Sequence, residues 1–99
     1  MDFIVTKNRQ PLDPNLYDWN EETKTFSTNE NGLVLDFNGL DGITFKTGSD
    51  CNFTTESYCN FDTGYNCNFK TGSYCNFKTE SYCNFDTESY CNFTTGSDC

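Results

Sequence analysis

Residues 51 to 98 read CNFTTESY, CNFDTGYN, CNFKTGSY, CNFKTESY, CNFDTESY, CNFTTGSD, one octapeptide written six times, with Cys99 opening another copy. Stepping back by eights, ITFKTGSD (43 to 50) is a further copy with Ile43 in the Cys place, and LDFNGLDG (35 to 42) is a degenerate one. On this phasing Leu35, Ile43, Cys51, Cys59, Cys67, Cys75, Cys83 and Cys91 share one position. Phe37, Phe45, Phe53, Phe61, Phe69, Phe77, Phe85 and Phe93 share another. Repetition at a short fixed period is the signature of a solenoid, in which each unit buries its inner face on its neighbours.

An even period decides between helix and strand. Side chains of an extended chain alternate faces with period two, so an octad keeps its inward and outward parity in every copy. If Phe points inward, so do the Cys position, the Thr at 47, 55, 63, 71, 79, 87 and 95, and the following Ser, which is Tyr65 in one copy. Asn, the variable Lys/Asp/Thr, the Gly/Glu and the residue before Cys point outward. Every charge from Lys46 to Asp98 then faces water, as the cost of burying ions demands. Helix is disfavoured separately, because the chain has no Ala and all its Leu precede position 41.

The expected fold is therefore all-β: a parallel β-solenoid (β-helix) over residues 35–99, behind a small β-rich cap over residues 1–34. A hydrophobic share of 34% is thin for a layered domain of 99 residues. Interior Phe at roughly 1.5–3 kcal/mol each supply the burial instead. Charge stacking sets the coil length. At a separation of 16, Lys46 lies by Asp62, Asp62 by Lys78 and Lys70 by Asp86; at 24, Lys46 meets Lys70 and Asp62 meets Asp86. Opposite charges side by side favour a sheet and like charges oppose it, so 16 residues per coil is expected. Four coils would be about 19 Å long at ~4.8 Å per strand, each side a strand of about five residues and a three-residue turn. Because the turn position takes both Gly (48, 64, 72, 96) and Glu (56, 80, 88), a positive φ is not required there. In the cap, Phe3-Ile4-Val5 reads as an edge strand, Pro11 to Asn15 as a turn, and Leu16–Trp19 with Thr23–Ser27 as a hairpin about Asn20–Glu22. Trp19 and Phe26 would cover the open end of the first coil.

The start, MDFIVTKNRQ, lacks the apolar run of a signal peptide, and no membrane span is present, so a cytoplasmic protein with no membrane partner is expected. An odd, periodic set of 7 Cys is a poor disulfide framework and reads as reduced thiols. Leu35 and Ile43 in the same phase mark the Cys position as a small apolar one. Without His or Cys-x-x-Cys, no metal or other cofactor is expected, and no base stands by a thiol, so no enzyme is expected either. The Asn column reads as an outer hydrogen-bonded ladder.

Cys-Asn-Phe resembles the core triad of pentapeptide-repeat proteins, in which a small inward residue, an outward Asn or Asp and an inward Leu or Phe recur in a right-handed β-helix. Octapeptide repeats are also similar to the intertwined trimeric β-helices of phage spikes, whose Val-x-Gly signature is absent here. The resemblance to pentapeptide-repeat gyrase inhibitors implies a non-enzymatic binder: a phage or mobile-element inhibitor of a nucleic-acid-handling host enzyme (nuclease, defence complex or topoisomerase), acting by DNA mimicry or steric blockade. The partner is then a host protein that binds nucleic acid, not nucleic acid itself. A net charge of −9 suits this. Asp36, Asp41, Glu56, Asp62, Glu80, Asp86 and Glu88 would carry the charge, and Tyr58, Tyr74 and Tyr90 the contact area. The alternative is a structural viral fibre or spike component assembling through its β-helix. An open final coil would pair two copies near Phe93 and Cys99 into a homodimer.

Overall fold

The computed structural model describes residues 3–96. Its strands are β1 (Ile4–Lys7), β2 (Gln10–Pro11), β3 (Asp18–Asn20), β4 (Thr25–Ser27), β5 (Leu33–Asp36), β6 (Thr44–Lys46), β7 (Asn52–Thr54), β8 (Asn60–Asp62), β9 (Asn68–Lys70), β10 (Asn76–Lys78), β11 (Asn84–Asp86) and β12 (Asn92–Thr94). From β4 onward, strands alternate between two sheets, ordered β11-β9-β7-β5-β1-β2 and β12-β10-β8-β6-β4-β3. The chain is thus a flattened, two-sided parallel β-solenoid. Phe53 lies opposite Phe69, Phe69 opposite Phe85, and Phe61 between Phe45 and Phe77, so each repeat coil takes 16 residues. The charges stack as their spacing implies, with Lys46 beside Asp62, Asp62 beside Lys78 and Lys70 beside Asp86.

The core is a herringbone of rings. Neighbours in one sheet lie parallel, as Phe61 does on Phe77 at 4.8 Å and 2°. Neighbours across the sheets meet edge to face, as Phe61 does with Phe69 at 5.1 Å and 74°. Both arrangements suit the quadrupole of an aromatic ring. Cys51, Cys59, Cys67, Cys75 and Cys83 are fully buried beside the rings, and Thr55, Thr63, Thr71 and Thr79 are buried too.

Several expectations need correction. Leu35 belongs to the Phe column, opposite Phe53, and Phe37 takes the Thr place, its N–H donating to Thr54 O at 2.8 Å as Thr55 N–H does to Lys70 O. The corner from Asn38 to Gly42 is two residues longer than later corners, so the first copy is Leu33–Gly42; an even insertion leaves parity intact. The strands from β6 to β12 are three residues long, not five, because the residue before each Cys turns the chain. Asp50, Tyr58, Asn66, Tyr74, Tyr82 and Tyr90 all have φ between 57° and 63°, with Gly42 at 73° in the same place. That left-handed residue also breaks the alternation, so Ser57 and Ser73 lie half-buried at the corner and Tyr65 is exposed. The Gly/Glu positions indeed carry no positive φ. Phe93 is 46% exposed and Phe85 half-buried, since β12 and β11 are the last strands of their sheets.

At the other end, β3 and β4 form the expected hairpin, Trp19 opposite Phe26, and Asn20 Oδ1 accepts from Glu22 N and Thr23 N in the connecting turn. Phe26 is no lid. It is fully buried within the stack, opposite Phe45, because β4 already pairs in parallel with β6. Phe3, Tyr17 and Trp19 close the end instead. β1 is not an edge strand, since it lies antiparallel between β5 and β2. Two- and three-residue edges (β2 and β3) make this end a poor template for pairing.

Candidate interaction surface

A solenoid offers two flat faces and two corners. On each face the outermost side chains are an Asn ladder and a mixed column. Asn68 Nδ2 donates to Asn52 Oδ1 at 2.8 Å and Asn84 to Asn68 at 2.9 Å; Asn76 to Asn60 and Asn92 to Asn76, each at 2.9 Å, repeat this on the other face. These amides satisfy one another along the axis. The mixed columns read Asp36, Thr54, Lys70, Asp86 and Lys46, Asp62, Lys78, Thr94, so alternating charge largely cancels on both faces.

The corners differ. The corner that follows the β5–β7–β9–β11 sheet spans residues 37–42, 55–58, 71–74 and 87–90, and these contain Asp41, Glu56 and Glu88 but no Lys or Arg. Three tyrosines project from it in a parallel ladder. Tyr58 stacks on Tyr74 at 5.2 Å and 4°, and Tyr74 on Tyr90 at 5.0 Å and 9°. They remain 58%, 47% and 74% exposed. Their left-handed backbone swings each side chain outward, and the coil repeat then lays ring on ring. Backbone bonds brace the corner along the axis: Tyr58 N–H donates to Ser73 O at 3.0 Å and Tyr74 N–H to Ser89 O at 3.1 Å.

The sequence-derived set is therefore dispersed. Tyr58, Tyr74, Tyr90, Glu56, Glu88 and Asp41 share one corner. Asp36 and Asp86 lie on the adjoining face, Asp62 on the opposite face, and Glu80 at the far corner, two coils along from Asp50. Asp41 and Asp36 have local duties, since Asp41 Oδ1 accepts from Ser57 N at 3.0 Å and Asp36 Oδ1 from Asn38 N at 3.1 Å. Phe93 sits on β12, while Cys99 lies outside the described residues. The sequence reading missed a cleft of about 460 Å³ at the cap, lined by Phe3, Trp19, Glu21, Lys24, Leu40 and Asp41. Its only signals were Trp19 and the glycine-rich insertion after Phe37.

In the core, thiols face one another along the columns. Cys67 beside Cys51 holds Cys51 down to about 7 against the upward push of burial, and Cys59 does the same to Cys75, to about 6. The partners move oppositely, Cys59 raised by Cys75 and Cys67 by Cys51, with burial adding to both. One proton of each such pair is therefore held tightly.

Among the described residues no group of three or more His, Cys, Asp or Glu is placed to hold a metal ion, and no helix is long and apolar enough to cross a membrane. No family model matches the chain, and neither a curated protein nor a solved structure matches it.

Proposed function

We propose that the protein is a non-enzymatic binder whose tyrosine-lined acidic corner docks into a basic groove of a protein that handles nucleic acid, and so blocks it. The observation that carries this is the ladder Tyr58–Tyr74–Tyr90, half-exposed or more and set among Glu56, Glu88 and Asp41, with no Lys or Arg in the repeat segments of that corner and Lys24 confined to its cap end beside Asp41. Stacked rings cost little side-chain entropy on binding and offer both apolar area and cation–π acceptance to Arg and Lys. Steric blockade is favoured over full mimicry of a duplex. Nine net negative charges on a body 32 Å long amount to one per about 3.6 Å at most, whereas a duplex carries one per about 1.7 Å.

The test is to titrate the protein into gyrase supercoiling and nuclease digestion assays at low and moderate salt. Inhibition should weaken with salt and be lost on joint Glu56→Lys and Glu88→Lys exchange, while Asp62→Lys, on the opposite face, leaves it unchanged. Inhibition indifferent to the corner exchange would dispose of the reading.

A second reading, assembly through the last coil, is favoured by the half-exposed Phe93 on a strand that closes its sheet. Two copies paired edge to edge would cover it. Sedimentation should show a closed dimer under the binder reading and an open polymer or trimer under a fibre role; a monomer at high micromolar concentration refutes both assemblies.

A further inference from the structure

The cysteines form two columns, Cys51, Cys67 and Cys83 behind β7, β9 and β11, and Cys59, Cys75 and Cys91 behind β8, β10 and β12. Among the described residues none of these six is joined in a disulfide, and all but Cys91 are buried. Their sulfurs converge on shared carbonyls. Cys51 Sγ and Cys67 Sγ each lie 3.8 Å from Gly48 O, and Cys75 Sγ and Cys91 Sγ lie 3.8 and 3.5 Å from Gly72 O. The Phe rings two residues further on repeat at 4.9 and 5.1 Å in one column and 4.8 and 5.0 Å in the other, which measures the coil step.

Two collinear metal–sulfur bonds of about 2.3 Å each span about 4.6 Å, close to one such step. We infer that each column takes up one soft, linearly coordinating divalent ion of the mercuric type between two adjacent thiols. The balance is two R–SH plus M2+ giving R–S–M–S–R plus two protons released to solvent. The product is neutral, which is what an apolar core tolerates. A second ion in the same column would share the middle sulfur and leave a buried positive charge, so occupancy stops at one. Zinc is disfavoured because it wants four ligands in a tetrahedron, and hard ions because the oxygens beside the columns are backbone carbonyls and neutral Thr hydroxyls rather than carboxylates. A disulfide fits less well, since it needs Cβ atoms about 3.5–4.5 Å apart, and parallel side chains in register stand a full coil step apart.

The experiment uses the Cys99→Ser chain, reduced, freed of small thiols and kept anaerobic, titrated with mercuric chloride. Native mass spectrometry should show two ions per chain, each adding the mass of the metal less two hydrogens, with sulfur-to-metal absorption in the near ultraviolet and unchanged β circular dichroism. The decisive contrast is between middle and end positions. Cys67→Ser or Cys75→Ser should remove one ion, because the remaining thiols of that column are two coil steps apart. Cys51→Ser or Cys91→Ser should still leave two. If a middle variant fails to fold, joint Cys51→Ser and Cys83→Ser exchange isolates Cys67 and should also remove one ion. Equal losses at middle and end, a mass gain per ion other than the metal less two hydrogens, a loss of two mass units without metal, or uptake only together with loss of the β signal would each overturn the inference.

Discussion

Truncating Phe61 to Ala tests whether the ring column is what holds the coils together. Phe61 is 3% exposed, stacks on Phe45 at 5.0 Å and Phe77 at 4.8 Å, and meets Phe53 and Phe69 edge-on at 5.3 and 5.1 Å. Removing a buried Phe costs about 3–5 kcal/mol. Contacts with four rings place Phe61→Ala toward the top of that range, since each favourable aromatic pair adds about 0.5–1.5 kcal/mol beyond area alone. Phe93 is the control, having the same repeat position. It is 46% exposed and touches Phe77 and Phe85 from one side, so about half of a ~1.5–3 kcal/mol burial is at stake and Phe93→Ala should cost about 1 kcal/mol. Guanidinium unfolding followed by circular dichroism gives the difference. Trp19 fluorescence reports the cap separately, and coincident curves show that loss at Phe61 is felt throughout. Should Phe61→Ala not fold, Phe61→Leu serves, because Leu35 already fills the equivalent position in the column of the facing sheet, opposite Phe53. Equal costs at 61 and 93, or a cost below about 1 kcal/mol at 61, would refute the column as the source of stability.

Tyr82 at φ 63° holds a conformation that disfavours most L residues by about 1–2 kcal/mol, and Asn66 shows a better-suited residue one coil earlier. Tyr82→Asn should therefore raise stability by about 0.5–1 kcal/mol, measured by denaturant midpoint, whereas Tyr74→Asn should gain nothing because it forfeits two stacked rings. Gly72→Ala would put a methyl 2.5 Å from Ser57 Oγ, the group that accepts from Ser73 N; a loss of about 1–2 kcal/mol is expected, and no loss would show that the serine swings away freely. Because Cys59 and Cys67 are held protonated in the fold, their contribution is fully present below the unfolded thiol value of about 8.5 and falls above it by about 1.4 kcal/mol per pH unit for each thiol, whereas the lowered Cys51 and Cys75 make stability rise with pH up to that value. Denaturation of the reduced protein between pH 8 and 9.5 checks this, and Cys59→Ser should halve the slope.

The octad parity and the charge stacking were enough for the two-sided solenoid with 16 residues per coil, because period two and adjacent-charge energetics act locally and repeat in every copy. The tyrosine ladder was legible for the same reason, 16 being the separation of 58, 74 and 90. The first copy was phased wrongly because an even insertion after Phe37 preserves parity, so the pattern looks regular while Leu35 and Phe37 change places. In the sequence Phe26 reads as a lid because nothing in its neighbourhood repeats; the parallel register with β6 shows it to be core. The carboxylates of the octads alternate with lysines on the faces and stand alone at the corners, and a list of acidic residues does not separate the two.

What the amino-acid order alone determined is the winding, since a strict repeat of eight makes every copy solve the same packing problem. Which outward residues act together was decided only in three dimensions. The left-handed residue before each Cys turns the chain out of its alternating plane, so tyrosines and glutamates separated by whole coils come to share one edge.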